Sequence, residues 1–301
     1  WEDDQNFLMV GFVKPHHRFD QPTPWDTMDD PDALSLLAGW TETMIHGDDG
    51  ESHFACNRLT EASLRRVMAL YYATISQIDH HVGRMMEHLK AKGLYDNTLV
   101  VYTSDHGDYM GCHHRILKNY RMLEPLVRVP LIIKYPASMR LRGRDKRLVN
   151  NVDVAPTLIS AAGLCRPEAM EGLNLIDSDA ENDLVFAEAY NEYMVRSKTR
   201  KLLLHRDRNK SMFFDLERDP LEMENLYENE AYQGEIATLR DRLLAWSLFE
   251  SRPKNHVDHN APRCNASNVP REDTGLYTYF SNNMTRNANN IETGGQGHER
   301  V

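Results

Sequence analysis

Three things are scarce in this sequence: paired cysteines, long apolar runs and surplus positive charge. The four cysteines, Cys56, Cys112, Cys165 and Cys264, lie far apart, so the chain contains no Cys-x-x-Cys zinc or redox pair. No apolar stretch approaches the roughly 20 residues that a spanning helix requires, which excludes a helical membrane span. Acidic side chains outnumber basic ones, 45 to 35, and the formal net charge of −10 argues against a nonspecific nucleic-acid binder, which must neutralise many phosphates. Any anionic substrate therefore needs a local cationic pocket. A basic region followed by an apolar leader is not seen at Trp1-Glu2-Asp3-Asp4, so this end does not reveal localisation.

What is present is enough chain, 301 residues, for one large α/β domain or two ordinary ones. The nearly continuous apolar run Phe7 to Val13 predicts a strand buried on both faces of a parallel sheet. Because it arrives with no preceding βα unit, the start of a larger domain is expected upstream. Residues 21–59 are rich in Pro, Asp, Gly and Thr and predict a long irregular excursion of the kind that shapes a site. From Thr60 to Lys92, apolar residues recur at steps of three and four until Gly93, which predicts one long amphipathic helix whose Met and Tyr stripe is core.

Leu99 to Thr103 and Val129 to Ile133 predict two further buried strands, and a strand, helix, strand order implies a parallel doubly wound sheet. Asp153 to Ala162 reads as a short helix. Four short strands, 185–189, 193–197, 201–205 and 212–216, then a helix over about 230–248, predict a small antiparallel α+β subdomain. The expected division is 1–180, 181–250 and a tail, 251–301, too poor in apolar residues to form a core.

The chemistry concentrates where Thr103-Ser104-Asp105-His106-Gly107-Asp108 leaves a predicted strand, the edge at which open α/β sheets bind ligands. A carboxylate beside an imidazole can reach one cation if the backbone turns there, and Gly107 permits a turn. By itself this tripeptide is as well read as a polar turn. Its context decides: Gly111-Cys112-His113-His114 follows, then Lys118 thirteen positions after Asp105, then Glu124 and Arg128-Val129-Pro130-Leu131-Ile132-Ile133.

This string resembles the sulfatase family of the alkaline phosphatase superfamily. The resemblance extends to Lys14-Pro15-His16, to Tyr72-Ala73-Thr74-Ile75 on the long helix, to Val152-Asp153-Val154-Ala155-Pro156-Thr157, and to Phe214-Asp215-Leu216 with Asp219-Pro220. It implies an alkaline phosphatase-like α/β fold and hydrolysis of a sulfuric ester carried by a small molecule or a carbohydrate. A phosphonate or phosphate monoester hydrolase of the same superfamily, or a non-catalytic anion-binding fragment, are the alternatives. The resemblance implies that Asp105 and His106 ligate a divalent cation, usually Ca²⁺ with Mg²⁺ or Mn²⁺ as substitutes. It implies further that Lys118 grips the sulfate and that His16 sits near the ester oxygen of the leaving group, with His113 lining the substrate pocket. The plain alternatives are a solvated lysine at 118 and a turn histidine at 16. His114 and Arg115 are expected at the surface, and Cys112 as an inert packed thiol. A periplasmic or extracellular location is an expectation from the resemblance alone.

Two family elements are absent. No cysteine or serine begins a Cys/Ser-x-Pro-x-Arg motif, whose first residue becomes the formylglycine nucleophile; Ser251-Arg252-Pro253-Lys254-Asn255 comes closest and lacks the Arg. The pair of aspartates that completes the cation site is absent too, since Asp3-Asp4, Asp29-Asp30 and Asp48-Asp49 follow no apolar run. Both elements precede Lys-Pro-His in the family, so an N-terminal segment is expected to complete the site, and the chain alone is expected to be inactive.

Overall fold

Helix α1, Glu61–Ala91, carries the clearest local signals in the chain. In the computed structural model, which describes residues 6–47, 56–118, 121–167 and 170–251, Thr60 and Ser63 close a reciprocal capping box: the Ser63 N–H donates to Thr60 Oγ1 at 3.2 Å and the Thr60 N–H to Ser63 Oγ at 2.9 Å. Such a cap contributes about 1 kcal/mol. At the far end Gly93 adopts φ 68°, and the Leu94 N–H bonds Leu89 O at 2.9 Å, the left-handed stop that glycine allows. Leu64, Met68, Ala69, Ala73, Thr74 and Ile78 form the buried face. Leu64 and Met68 are fully enclosed, about 1.5–3 kcal/mol each by area removed from water.

Strands β1, Val100–Thr103, and β2, Leu131–Lys134, pair with each other, and here the expected parallel arrangement is corrected. They are antiparallel, with Thr103 opposite Leu131 and Val100 opposite Lys134. Among its described residues the connection between them holds only the one-turn helix α2, Glu124–Val127, rather than a crossover helix able to carry the chain back along the sheet, so it re-enters at the edge it left. A second correction concerns Phe7–Val13. It forms no strand among the described residues, and Phe7, Met9 and Val13 are 72%, 74% and 84% exposed. An apolar run becomes a strand only where a neighbour offers a hydrogen-bonding edge.

Helix α3, Val154–Ala161, precedes the predicted four-stranded antiparallel sheet: β3, Val185–Ala189; β4, Glu192–Arg196; β5, Arg200–His205; and β6, Met212–Asp215, in that spatial order. Its register aligns Val195 with Leu202 and Phe213 on one face, and Met194 with Leu203 and Met212 on the other. The first face packs on Ile236, Leu239 and Leu243 of α4, Gln233–Ala245. The second packs on Tyr109, Met122, Leu123 and Leu126. Both faces are thus apolar, unlike the one-sided pattern of most antiparallel sheets. The sheet's second face forms the floor beneath the segment that leaves β1. Of the expected 251–301 tail, residues 252–301, Cys264 among them, lie outside the described residues, as do Asp3-Asp4 and Asp48-Asp49.

Candidate functional site

The segment after β1 is held open by local bonds. The Ser104 hydroxyl donates to His106 O at 2.8 Å, the His106 N–H to Asp105 Oδ1 at 2.9 Å, and the Asn151 amide to Ser104 O at 2.9 Å. Gly107 is required here for space rather than for a left-handed turn: a Cβ would lie 2.1 Å from Pro125 O, because the Gly107 N–H bonds Leu126 O at 2.7 Å. That contact ties the segment to α2.

His106 Nδ1 lies 2.8 Å from Gly107 O, which assigns the proton to Nδ1 and leaves the Nε2 lone pair facing outward. Asp105 Oδ2 is 3.5 Å from that Nε2, and Lys118 Nζ donates to it at 3.3 Å. Partial burial works against the Asp105 charge, but the His106 N–H, the His106 ring and the Ser104 hydroxyl outweigh it and hold the carboxyl below its ordinary value. Asp108 behaves oppositely. Burial pushes its carboxyl up against bonds from the Met110 and Leu117 N–H groups and the charges of His106 and His16. Asp108 thereby links His16 to the cluster electrostatically. His16 itself is exposed, stacked on His17 at 4.1 Å between centroids, with Nδ1 2.6 Å from His17 O.

The structure therefore gathers Asp105, His106 and Lys118, with Lys118 half-buried, and brings His16 within the field of Asp108. It does not place His113 with them. Expected to line a substrate pocket, His113 is 1% exposed and turned toward Tyr109 and His46, with ring centroids 6.4 and 5.3 Å away. Burial, with His46 and Arg115 nearby, lowers its pKa to about 4. His114 and Arg115, expected at the surface, are buried as well. The reason is the backbone. Met110, His113, His114 and Leu117 all have φ between 42° and 61°, so the chain coils inward. The 34–47 excursion covers it: the His113 N–H donates to Gly39 O and Arg115 Nη2 to Gly47 O, both at 2.8 Å, and His114 Nδ1 pairs with Thr41 O. Each left-handed non-glycine residue costs about 1–2 kcal/mol, which these bonds offset. Cys112 is packed as expected, its thiol pushed up to about 11 by burial.

Sequence reasoning missed the clamp beneath Lys118. Three residues on, Arg121 Nη1 meets Glu192 Oε2 at 2.7 Å, both side chains buried, while the Met122 N–H donates to Glu192 Oε1 at 2.7 Å. Glu124 bonds Arg196 at 2.9 Å and Lys201 at 3.2 Å, and Lys201 also meets Glu222 at 2.8 Å. The paired charges bolt the segment carrying Lys118 to the four-stranded sheet. Only the apolar residues around these charges could have hinted at their burial.

Asp105 Oδ2 and His106 Nε2 suit adjacent positions around one cation, since two donors at bond lengths of about 2.4 Å and right angles stand about 3.4 Å apart. Among the described residues no third His, Cys, Asp or Glu joins them. The donors fit a divalent cation as two of its ligands, so the remainder must come from water, substrate or residues not described.

The sulfatase family model matches residues 2–164, and a model described as N-sulphoglucosamine sulphohydrolase, C-terminal, matches residues 112–248. An arylsulfatase of Clostridium perfringens is 33% identical over 272 residues, covering 84% of this chain and 55% of the relative. An N-acetylglucosamine-6-O-sulfatase of Bacteroides thetaiotaomicron is 30% identical over 214 residues, covering 65% of this chain and 37% of the relative. Among solved structures, a phosphonate monoester hydrolase of Agrobacterium radiobacter superposes with a TM-score of 0.68 at 21% identity, covering 78% of this chain and 55% of that one, a likeness of fold. The chain spans about half the length of the curated arylsulfatase it matches.

Proposed function

The chain belongs to the sulfatase family, and from that premise we propose that the protein carrying it hydrolyses sulfate monoesters, with sulfated carbohydrates as the substrate class. The observation that carries this reading is the convergence of Asp105, His106 and Lys118 at the edge where β1 ends, with one Asp105 carboxylate oxygen and the Lys118 ammonium both within 3.5 Å of His106 Nε2. The sulfated carbohydrate class is supported by the N-acetylglucosamine-6-O-sulfatase relative.

A divalent cation, which we take to be Ca²⁺, would withdraw electron density from the sulfate oxygens. Asp105 and His106 would hold it; the low carboxyl pKa of Asp105 keeps that ligand charged, and the Nδ1 bond to Gly107 O keeps His106 Nε2 unprotonated, so that the lone pair now facing Lys118 could coordinate. Lys118 shares the tetrahedral anion with the cation and meets the charge that builds on its oxygens as the S–O bond breaks. The clamp of Arg121 and Glu192 fixes the backbone from which Lys118 reaches. His16, exposed and within the field of Asp108, would be suited to pass a proton to the departing alkoxide oxygen. The nucleophile, formylglycine in this family, would come from outside these 301 residues, which contain no Cys/Ser-x-Pro-x-Arg motif, and the remaining cation ligands from water, substrate or residues not described.

A second reading, hydrolysis of phosphonate or phosphate monoesters, draws on the fold likeness to the phosphonate monoester hydrolase. The test is hydrolysis of 4-nitrophenyl sulfate, 4-nitrophenyl phenylphosphonate and 6-O-sulfated N-acetylglucosamine by the intact protein with Ca²⁺. Sulfate release from the first and third is expected; a kcat/KM higher for the phosphonate would establish the second reading. The isolated 301-residue chain should turn over none of them, and steady turnover by it would show a nucleophile within the chain.

A further inference from the structure

One run of like charge is not used by the site. Arg140, Arg142, Arg144, Lys146 and Arg147 fall within eight residues of a chain whose net charge is −10. The run's single acid, Asp145, is taken by Arg147, whose Nε and Nη2 meet Asp145 Oδ2 at 2.9 and 2.7 Å. Arg147 is further held by Asp177 O and Ala180 O at 2.5 and 2.6 Å. Arg140, Arg142, Arg144 and Lys146 are exposed and form no ion pair among the described residues. Four cations adjoining in the chain repel one another, and no ion pair among the described residues offsets that repulsion.

The run leaves β2 at the end where Lys134 pairs with Val100, whereas Asp105 follows Thr103 at the other end. About 10 Å of strand separates the two ends, so a monosaccharide at the site does not reach the arginines. Arg140 and Arg142 help line a cavity of about 370 Å³ together with Lys134, Tyr95, Tyr135 and one acid, Asp96. Lys134 is committed to the protein: it donates to Thr98 O at 2.9 Å and to Tyr95 O, and its ammonium stands 4.2 Å from the Tyr95 ring centre. The cations left for a ligand are thus the rim arginines, with the half-buried Tyr135 as an aromatic wall.

We propose that this cavity and its arginine rim bind an acidic polysaccharide, gripping a polymeric substrate away from the ester being cleaved. The identification of that polymer as substrate rests on the proposed sulfatase function; the binding itself does not. Guanidinium forks pair with sulfate and carboxylate oxygens two at a time, and several adjacent forks favour a ligand that carries several anions on one backbone. Elsewhere the acidic surface repels such a polymer, so the local field selects where it lands. Tyr135 offers a flat apolar surface to a sugar ring.

The test uses the intact protein at 0.15 M salt with fluorescent dextran sulfate, neutral dextran, and a single-stranded oligonucleotide of matched charge. Dextran sulfate should bind and neutral dextran should not, and Arg142→Ser/Arg144→Ser should weaken binding at least tenfold while 4-nitrophenyl sulfate turnover stays within twofold of wild type. Equal binding of dextran sulfate by variant and wild type would overturn the proposal, as would an oligonucleotide bound as tightly as dextran sulfate. If neither protein hydrolyses the aryl sulfate yet dextran sulfate binding still depends on Arg142 and Arg144, the subsite stands and the sulfatase reading falls.

Discussion

His113 should make the fold sensitive to acid in a defined window. The ring is 1% exposed, faces His46, Arg115, Lys201 and Asp219, and burial is the chief cause of a pKa near 4 against an ordinary 6.5. In the unfolded chain it takes up its proton near pH 6.5, and in the folded protein only near 4. Between those values the unfolded state binds more protons, so stability falls as the pH falls. The stabilisation is complete above about pH 6.5 and lost as pH approaches 4. A gap of about two and a half units, at about 1.4 kcal/mol per unit, makes the loss about 3 kcal/mol, a large share of a typical domain's 5–15 kcal/mol. The assay is urea unfolding followed by circular dichroism from pH 7.5 to 4.5, comparing wild type with His113→Asn. Asn tolerates the φ of 56° at this position. The variant should be less stable at pH 7.5 because it loses packing, yet show a shallower decline with pH, the two curves converging by about 2–3 kcal/mol. Parallel curves would show that His113 does not carry the burial penalty and would refute the inward turn of the loop.

In the intact protein Asp105→Ala should lower Ca²⁺ affinity at least tenfold, read by calorimetry, and abolish turnover more completely than His16→Ala, whose effect should grow as the leaving group worsens. Lys118→Ala should depress kcat along with kcat/KM, and Lys118→Arg should restore only part, because a planar fork does not reproduce a compact ammonium; a rise in KM alone would reduce Lys118 to ground-state binding. Arg121→Met should cost about 3–5 kcal/mol by leaving the Glu192 carboxylate buried without its guanidinium, and adding Glu192→Leu should recover much of it in denaturation curves. Gly107→Ala should cost more than about 1–3 kcal/mol and displace the Asp105 segment from α2, since the added carbon meets Pro125 O; wild-type stability would show that the close approach is not held in solution.

Local signals were enough for much of this chain. The period of α1, its Thr60 cap and the Gly93 stop are intrinsic to the helix, so the sequence set both ends within a residue. The short runs between turns that made β3 to β6 readable are likewise local to each strand, and the position of Asp105 and His106 at the end of β1 followed from one apolar run. The resemblance to the sulfatase family, through its thirteen-residue step, implied Lys118 as a partner for that pair, and the fold brings its ammonium 3.3 Å from His106.

Tertiary structure alone decided the rest, because each remaining feature depends on what lies across from it. Strand formation needs a second edge, so the apolar run Phe7–Val13 is exposed and outside any strand among the described residues, while β1 and β2 take their antiparallel sense from a connection that turns back on itself. The burial of His113, His114 and Arg115 follows from left-handed backbone beneath the 34–47 excursion, a covering more than 60 residues away in sequence. The charges at Arg121, Glu124, Glu192, Lys201 and Glu222 read as solvated until folding brings opposite signs within about 3 Å in a dry interior, where a partner is the condition for burial.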